Sequence, residues 1–316
     1  LSPSNWRVNH ASESNLKQFN PASAKDPTQV EVIDPGEYAT VLFTPSALGI
    51  MNCGKMWPVE MAPLSIEITF ASPSESVISN GNMHPRNSAS STDYVINNLH
   101  LQCSEIIVDS ALSNSFKNLL ASGRSLSIAV QSIFTQAHVL PANSSSVQLS
   151  MVRALSKLGI LFLSYTDGVS ALKSHEVVGF ANPSLQVGGV HADASNYSHT
   201  EFTLETQAQL DSYLFPETKM DSLGEHWSKL QEAASTYDQK LVTLSITPEM
   251  YKSEGFVSAI NFMRAPGSAF SGLNTRTGSL LVLKLNNIAT STQKVFAHLV
   301  GTVLVEVRAD SCSVYD

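Results

Sequence analysis

Nine histidines are the first side chains in this chain that invite a chemical reading. Eight of them, His84, His100, His138, His175, His191, His199, His226 and His298, never fall in HxH or HExxH, the spacings that place two imidazoles around one metal ion. Glu225-His226-Trp227 lies on a stretch with helical spacing, but a partner ligand is missing. The expectation for these histidines is ordinary surface or interface positions. No GxSxG presents a serine nucleophile. Gly188-Gly189, Gly272 and Gly278 make no phosphate loop, because no GxxxxGK follows a strand.

Carboxylates and guanidinium groups add little. Glu201 and Glu205 alternate onto one face of a strand, where a solvated edge that discourages wrong pairing is the expected role. Glu306 and Asp310 could hold a divalent ion between subunits, a reading weaker than simple solvation. Arg264 and Arg276 flank a Pro/Gly/Ser loop and are expected to bond loop carbonyls. Cys53, Cys103 and Cys312 form no CxxC pair, so free buried thiols are expected and neither zinc nor a disulfide framework is indicated. The sequence thus names no catalytic residue, no cofactor-binding residue and no metal ligand, and no cofactor is expected.

Composition points elsewhere. Charged residues make up 15% of the chain and apolar residues 43%. The charged share is well under the usual quarter or so, and Ser, Thr, Asn and Ala fill the gap. A neutral polar surface can be buried against copies of itself at low desolvation cost. The net charge is −8 and no run of Lys and Arg exists, which disfavours direct nucleic-acid binding. The acidic excess gathers between Glu201 and Glu254, where a solvated face is expected. Asn143-Ser-Ser and Asn196-Tyr-Ser fit a glycosylation pattern that a Ser-rich chain produces by chance. No apolar stretch reaches the ~18 residues of a membrane-spanning helix, and no signal peptide is visible. The chain opens on Leu1, which reads as processing or trimming of a longer precursor.

The elements that must carry such a surface are mostly strands. Residues 1–28, with Pro3, Pro21 and Pro27, read as an extended arm. Strands are predicted at Val30–Asp34, Tyr38–Phe43 and, with clean period two, Leu64–Phe70. A long loop covers 71–92, and two strand-like runs fall between Tyr94 and Asp109. A helix follows over 111–121, with Asp109 or Ser110 as its cap and Gly123 as its stop. A second series comprises Leu126–Val130, 133–140, Val147–Val152 and Leu158–Tyr165, the last apolar enough to be buried on both faces. A loop over 167–198 leads to a strand at Glu201–Glu205. Ser222–Thr236 is a helix with Glu225 closing a capping box. Leu241–Ile246, Phe256–Met263, Gly278–Leu285 and Val295–Val307 are strands again, and Val314 and Tyr315 end the chain.

From Lys240 onward this order resembles the closing section of the double jelly-roll major capsid proteins of DNA viruses, the adenovirus/PRD1-like lineage. Leu241-Val242-Thr243-Leu244-Ser245-Ile246-Thr247-Pro248 is similar to a family strand of the type YSFAL-P. Glu254-Gly255-Phe256-Val257-Ser258-Ala259-Ile260-Asn261-Phe262-Met263-Arg264 is similar to a segment of the type SGxxNFSR, without the Ser before Asn261 and with Met263 in place of its second Ser. Ser279–Leu285 and Lys294–Asp310 complete the series. Upstream, Met56–Phe70 resembles a strand pair of the first jelly roll, Leu99–Leu120 its end and following helix, and Ser125–Tyr165 the opening of the second. The likeness spans roughly residues 50–316 and is one of order and spacing.

The resemblance implies an all-β chain of two tandem jelly-roll barrels with short helices and antiparallel strands. Residues 1–28 would be an arm, 29–122 a first, compact or incomplete barrel, and 123–316 a second. It implies no enzyme but a shell protein, assembled inside a host cell into homotrimers of pseudo-hexameric outline that tile an icosahedral virion capsid. Penton or minor capsid proteins and an underlying membrane are the implied partners. The residues alone leave two alternatives open: a single jelly-roll coat protein of a small RNA or single-stranded DNA virus, and a non-viral β-sandwich binding module.

Overall fold

The computed structural model describes residues 49–51, 55–69, 95–141, 144–166, 183, 204–237, 251, 256–263, 271–276, 280–288, 292 and 294–315. The arm, the strands at 30–43 and 241–246, and the loops at 71–92 and 167–198 lie outside them, apart from residue 183. Nine strands and two α-helices follow a single 3-10 turn at Gly49–Met51 among the described residues.

The first helix, α1 (Ser110–Ala121), starts where the sequence says it must. The Asp109 carboxylate accepts the Leu112 amide at 2.7 Å, satisfying one of the free N–H groups of the first turn. Gly123, at φ +80, takes the left-handed turn that ends it. Asp109→Ala should cost about 1 kcal/mol of local helix stability, read as faster amide exchange across the first turns of α1; unchanged exchange would show that the cap is idle.

Eight strands then close on one another: β1 (Leu126–Val139), β2 (Ser146–Met151), β3 (Leu158–Thr166), β4 (Glu205–Leu210), β5 (Tyr213–Met220), β6 (Val257–Asn261), β7 (Leu281–Asn286) and β8 (Lys294–Val307). One sheet has the order β1-β8-β3-β6, and the short β9 (Cys312–Tyr315) adds to β8; the other has the order β2-β7-β4-β5. Every pairing is antiparallel. From β1 to β8, successive strands switch between two facing sheets at every connection but the β4–β5 hairpin, and this order makes a jelly roll.

Alternation decides what fills it. Leu281, Leu283 and Leu285 of β7 and Thr206, Ala208 and Leu210 of β4 point inward, and Leu161, Leu163 and Tyr165 of β3 meet them from the other sheet. As its apolar run requires, β3 is buried on both faces, because the second helix, α2 (Leu223–Tyr237), runs over its sheet. There Tyr237 packs edge-on against Phe162 at 6.3 Å, and Asn261 of β6 donates to Thr236 at 3.3 Å. The α2 start is a capping box moved by one residue: Ser222 Oγ accepts the Glu225 amide and Glu225 accepts the Asp221 amide.

Three sequence expectations change. Of the strand placed at 201–205, residues 201–203 lie outside the described residues; Glu205 opens β4, which runs on to Leu210, and its hairpin partner β5 is missed altogether. Pro216 and the polar Glu217, Thr218 and Lys219 hide β5, which tolerates them because it is the sheet's edge. The separate runs 126–130 and 133–140 are one strand, β1, paired with β8 over its full length. Finally, the described parts of the predicted runs at 64–69 and 95–108 carry no strand pairing, and Leu64, Ile66, Ile68, Val95, Leu99, Ile106 and Ile107 are exposed. Period two supplies a face but not a partner, and the neighbouring strands expected at 30–43 lie outside the described residues.

The barrel has two unlike ends. β3 finishes and β4 begins at the end where β7 passes to β8, so the 167–204 connection and the segment carrying α2 both leave from there. The opposite end holds the short β2–β3 and β4–β5 connections.

Candidate assembly surface

The residues that invited chemistry take structural places. His226 is fully buried on α2. Its Nδ1 lies 2.9 Å from the Ser222 carbonyl and its Nε2 3.1 Å from Thr206 Oγ1 of β4, so Nδ1–H donates and Nε2 accepts the threonine hydroxyl. Burial pushes its pKa down to about 4. His298 of β8 bridges Thr135 of β1 at 2.9 Å and Ser164 of β3 at 3.1 Å on the outer face of the five-stranded sheet, and burial lowers it likewise to about 4. The expectation of surface or interface histidines is therefore corrected for His226, over which non-local packing closes; His298 stays half-buried on the outer face. His138 has a buried Nε2 and burial lowers its pKa, while exposed His100 bonds the Asn98 carbonyl at 2.8 Å. His84, His175, His191 and His199 lie outside the described residues.

The other candidates are not brought together as sites. Glu205 is held by Lys219, which donates to it and lowers its pKa, and it accepts from Asn286 at 3.2 Å; Glu201 is outside the described residues. Glu306 accepts from Arg308 at 3.1 Å, while Asp310 accepts from Ser311 at 3.3 Å. No group of three metal-ligating side chains occurs among the described residues. Arg276 is exposed beside a turn in which Asn274 accepts its amide at 2.9 Å; Arg264 is outside the described residues. Cys103 and Cys312 are free but exposed, which corrects the expectation of buried thiols. Cys312 lies on short β9 at the margin of its sheet, where little chain covers it. Cys53 lies outside the described residues.

A surface remains. On the outer face of the four-stranded sheet, side chains stand in rows set by the register: Ser146, Asn286 and Glu205, then Gln148, Lys284 and Gln207, then Ser150, Val282 and Gln209. The first row is tied together, with Ser146 donating to Asn286 and Asn286 to Glu205. Gln207 is held flat by the Pro216 carbonyl at 3.0 Å. One step further, at the barrel end with the short connections, the character changes. Val152 and Leu280 follow and precede the paired Met151 and Leu281, and are 76% and 59% exposed. Leu214 of β5, opposite Gln209, is exposed on this same face, whereas Tyr213, paired with inward-facing Leu210, is exposed at the hairpin on the other side of the sheet. Val152 and Leu280, on the adjacent strands β2 and β7, make an exposed apolar pair at the end of the polar rows. Sequence reasoning missed this pair because both residues sit on the margins of apolar runs that read as core.

No family model matches the chain, and no curated protein sequence does. Solved structures are similar to it at low identity. The chain is similar to PBCV-1 VP54, whose crystal structure was fitted into a cryo-EM reconstruction of the virophage Sputnik, at 8% identity and a TM-score of 0.41, over 66% of this chain and 54% of that one. A quasi-atomic model of the PBCV-1 virus capsid gives 9% identity and a TM-score of 0.38 over 60% and 51%. The Faustovirus major capsid protein gives 11% and 0.39 over 62% and 36%. The chain thus spans about half the length of the first two and less of the third. The strand order and register above are independent of these likenesses.

Proposed function

We propose that this protein is a structural subunit of a virus capsid that assembles with copies of itself. The observation that carries the reading is the outer face of the four-stranded sheet: rows of mostly neutral polar side chains ending in the exposed apolar pair Val152 and Leu280. Such a face loses little by desolvation and gains apolar burial when a neighbour lies against it, the composition of a protein–protein interface. A jelly roll with upright strands also presents flat flanks for lateral packing.

The finer reading is a homotrimer of pseudo-hexameric outline in an icosahedral shell, with residues 29–122 as a first barrel beside the described one and 1–28 as an arm. The apolar side chains of 64–68, 95–108 and α1 support it, since Leu112 and Phe116 of α1 and Ile107, 90% exposed, ask for a covering layer. Penton or minor capsid proteins and an underlying membrane belong to the same reading, with the virion as the protein's location.

The test is sedimentation of the full chain at micromolar concentration, with electron microscopy of the heaviest fraction. Trimers or larger closed assemblies are the expected result. A stable monomer at that concentration sinks the proposal.

A further inference from the structure

We propose that α2 is an acid-released latch over one end of the barrel, with His226 as its trigger. The argument is geometric. Between β5 and β6 the chain passes from one sheet to the other, and the first turns of α2 lie across the end where β3 finishes and β4 begins. His226 ties this part of the helix to the four-stranded sheet through Thr206, and its ring packs 5.6 Å from Phe256 at the entry to β6. Phe256 stacks in turn on Tyr165 and Tyr251 at 5.9 and 5.1 Å, and Trp227 meets Tyr251 at 4.8 Å. The imidazole thus sits where helix, both sheets and an aromatic cluster converge.

The groups around the ring decide how it responds to acid. From β4 comes the Thr206 hydroxyl, and from β3 the Tyr165 phenol, which donates to Ser258 of β6 at 3.4 Å and is raised to about 12 by burial. Tyr251 is raised well above its ordinary value by burial. Both phenols are therefore neutral throughout the acidic range and bring no negative charge. Glu225 and Asp221, from the start of α2 and the residues before it, favour the charged ring through space, but burial outweighs them. In the neutral ring each nitrogen has a matched partner. A second ring proton would place a cation among aromatic and aliphatic side chains and oblige the Thr206 hydroxyl to reverse from donor to acceptor.

The sign follows. The unfolded or released ring takes up a proton near its ordinary pKa of about 6.5, and the buried ring resists until about 4. The latch is thus fully closed above pH ~6.5 and loosens as pH falls from there toward ~4. Lifting the first turns of α2 into water relieves the buried charge without opening the long β1–β8 pairing, which extends beyond the barrel.

Pulsed hydrogen exchange on the full chain between pH ~7.5 and ~4, corrected for intrinsic rates, tests the latch. In the wild type, residues 225–234 are expected to lose about 10²-fold of their protection between pH ~6.5 and ~4 while staying less protected than β1 and β8 throughout, as a local opening requires. In His226→Gln the acid-dependent loss in 225–234 should vanish; in His298→Gln it should persist. Equal protection of 225–234 and of β1 and β8 at pH ~4, which marks global opening, or an acid-dependent loss in 225–234 retained in His226→Gln, overturns the proposal. If His226→Gln fails to fold, Trp227 fluorescence in a chain with Trp6→Phe and Trp57→Phe decides. A red shift over the same pH window while β-sheet circular dichroism is unchanged supports the latch, and a constant spectrum refutes it.

Discussion

Leu280→Glu is expected to leave the subunit folded but unable to assemble. Leu280 lies on the outer face just before β7, beside Val152, and more than half of its surface meets water in the single chain. Exchanging it for a carboxylate touches no core contact, so stability of the isolated subunit should move by no more than about 0.5 kcal/mol. Against a neighbouring copy the same carboxylate would be buried without a partner, at a cost of several kcal/mol per contact. Each ~1.4 kcal/mol weakens association tenfold, and a closed ring repeats the loss at every interface. Sedimentation at micromolar concentration should therefore show a folded monomer where the wild type is a trimer or larger. A Leu280→Glu chain that assembles like the wild type would remove this pair from the interface while leaving assembly itself intact.

Leu161→Ala is expected to cost about 2–5 kcal/mol of folding stability, enough to consume a large part of the margin of an ordinary domain. Leu161 is completely buried in β3, between Ile260 of β6 and Leu299 of β8, with its side chain toward the barrel interior. Two neighbouring strands and the opposite sheet fix the walls of the cavity left behind, so little collapse offsets the lost contacts. Urea unfolding followed by far-UV circular dichroism measures the effect as a fall in midpoint. Val152→Ala, at an exposed position, is the control and should stay within about 0.5 kcal/mol. Equal effects at the two sites would mean that the sheet faces are assigned the wrong way round.

How much of this was legible beforehand depends on how local each signal is. The β3 run Leu158–Tyr165 announces a strand buried on both faces because its residues are almost all apolar, and α1 announces its ends because Asp109 and Gly123 do their work within a turn of themselves. β5 was not legible, since Pro216 and three polar residues are tolerable only at an edge, and edge position is a property of the whole sheet. The exposed pair escaped for the same reason. Val152 and Leu280 look like core in a window of sequence, and only the register of β2 against β7 carries them past the last buried pair.

By itself the sequence determined the predominance of strands, most of the described strands and both helices from residue 110 onward, and the helix caps, because period two, turn residues and capping groups act over a few bonds. It also determined the low charge that lets a flank be buried. Tertiary structure alone decided the order β1-β8-β3-β6 facing β2-β7-β4-β5 and the burial of His226. Those outcomes require groups far apart along the chain to meet. Thr206 and Phe256 flank His226 only after two sheets and a helix have closed together, and no short-range pattern encodes that closure.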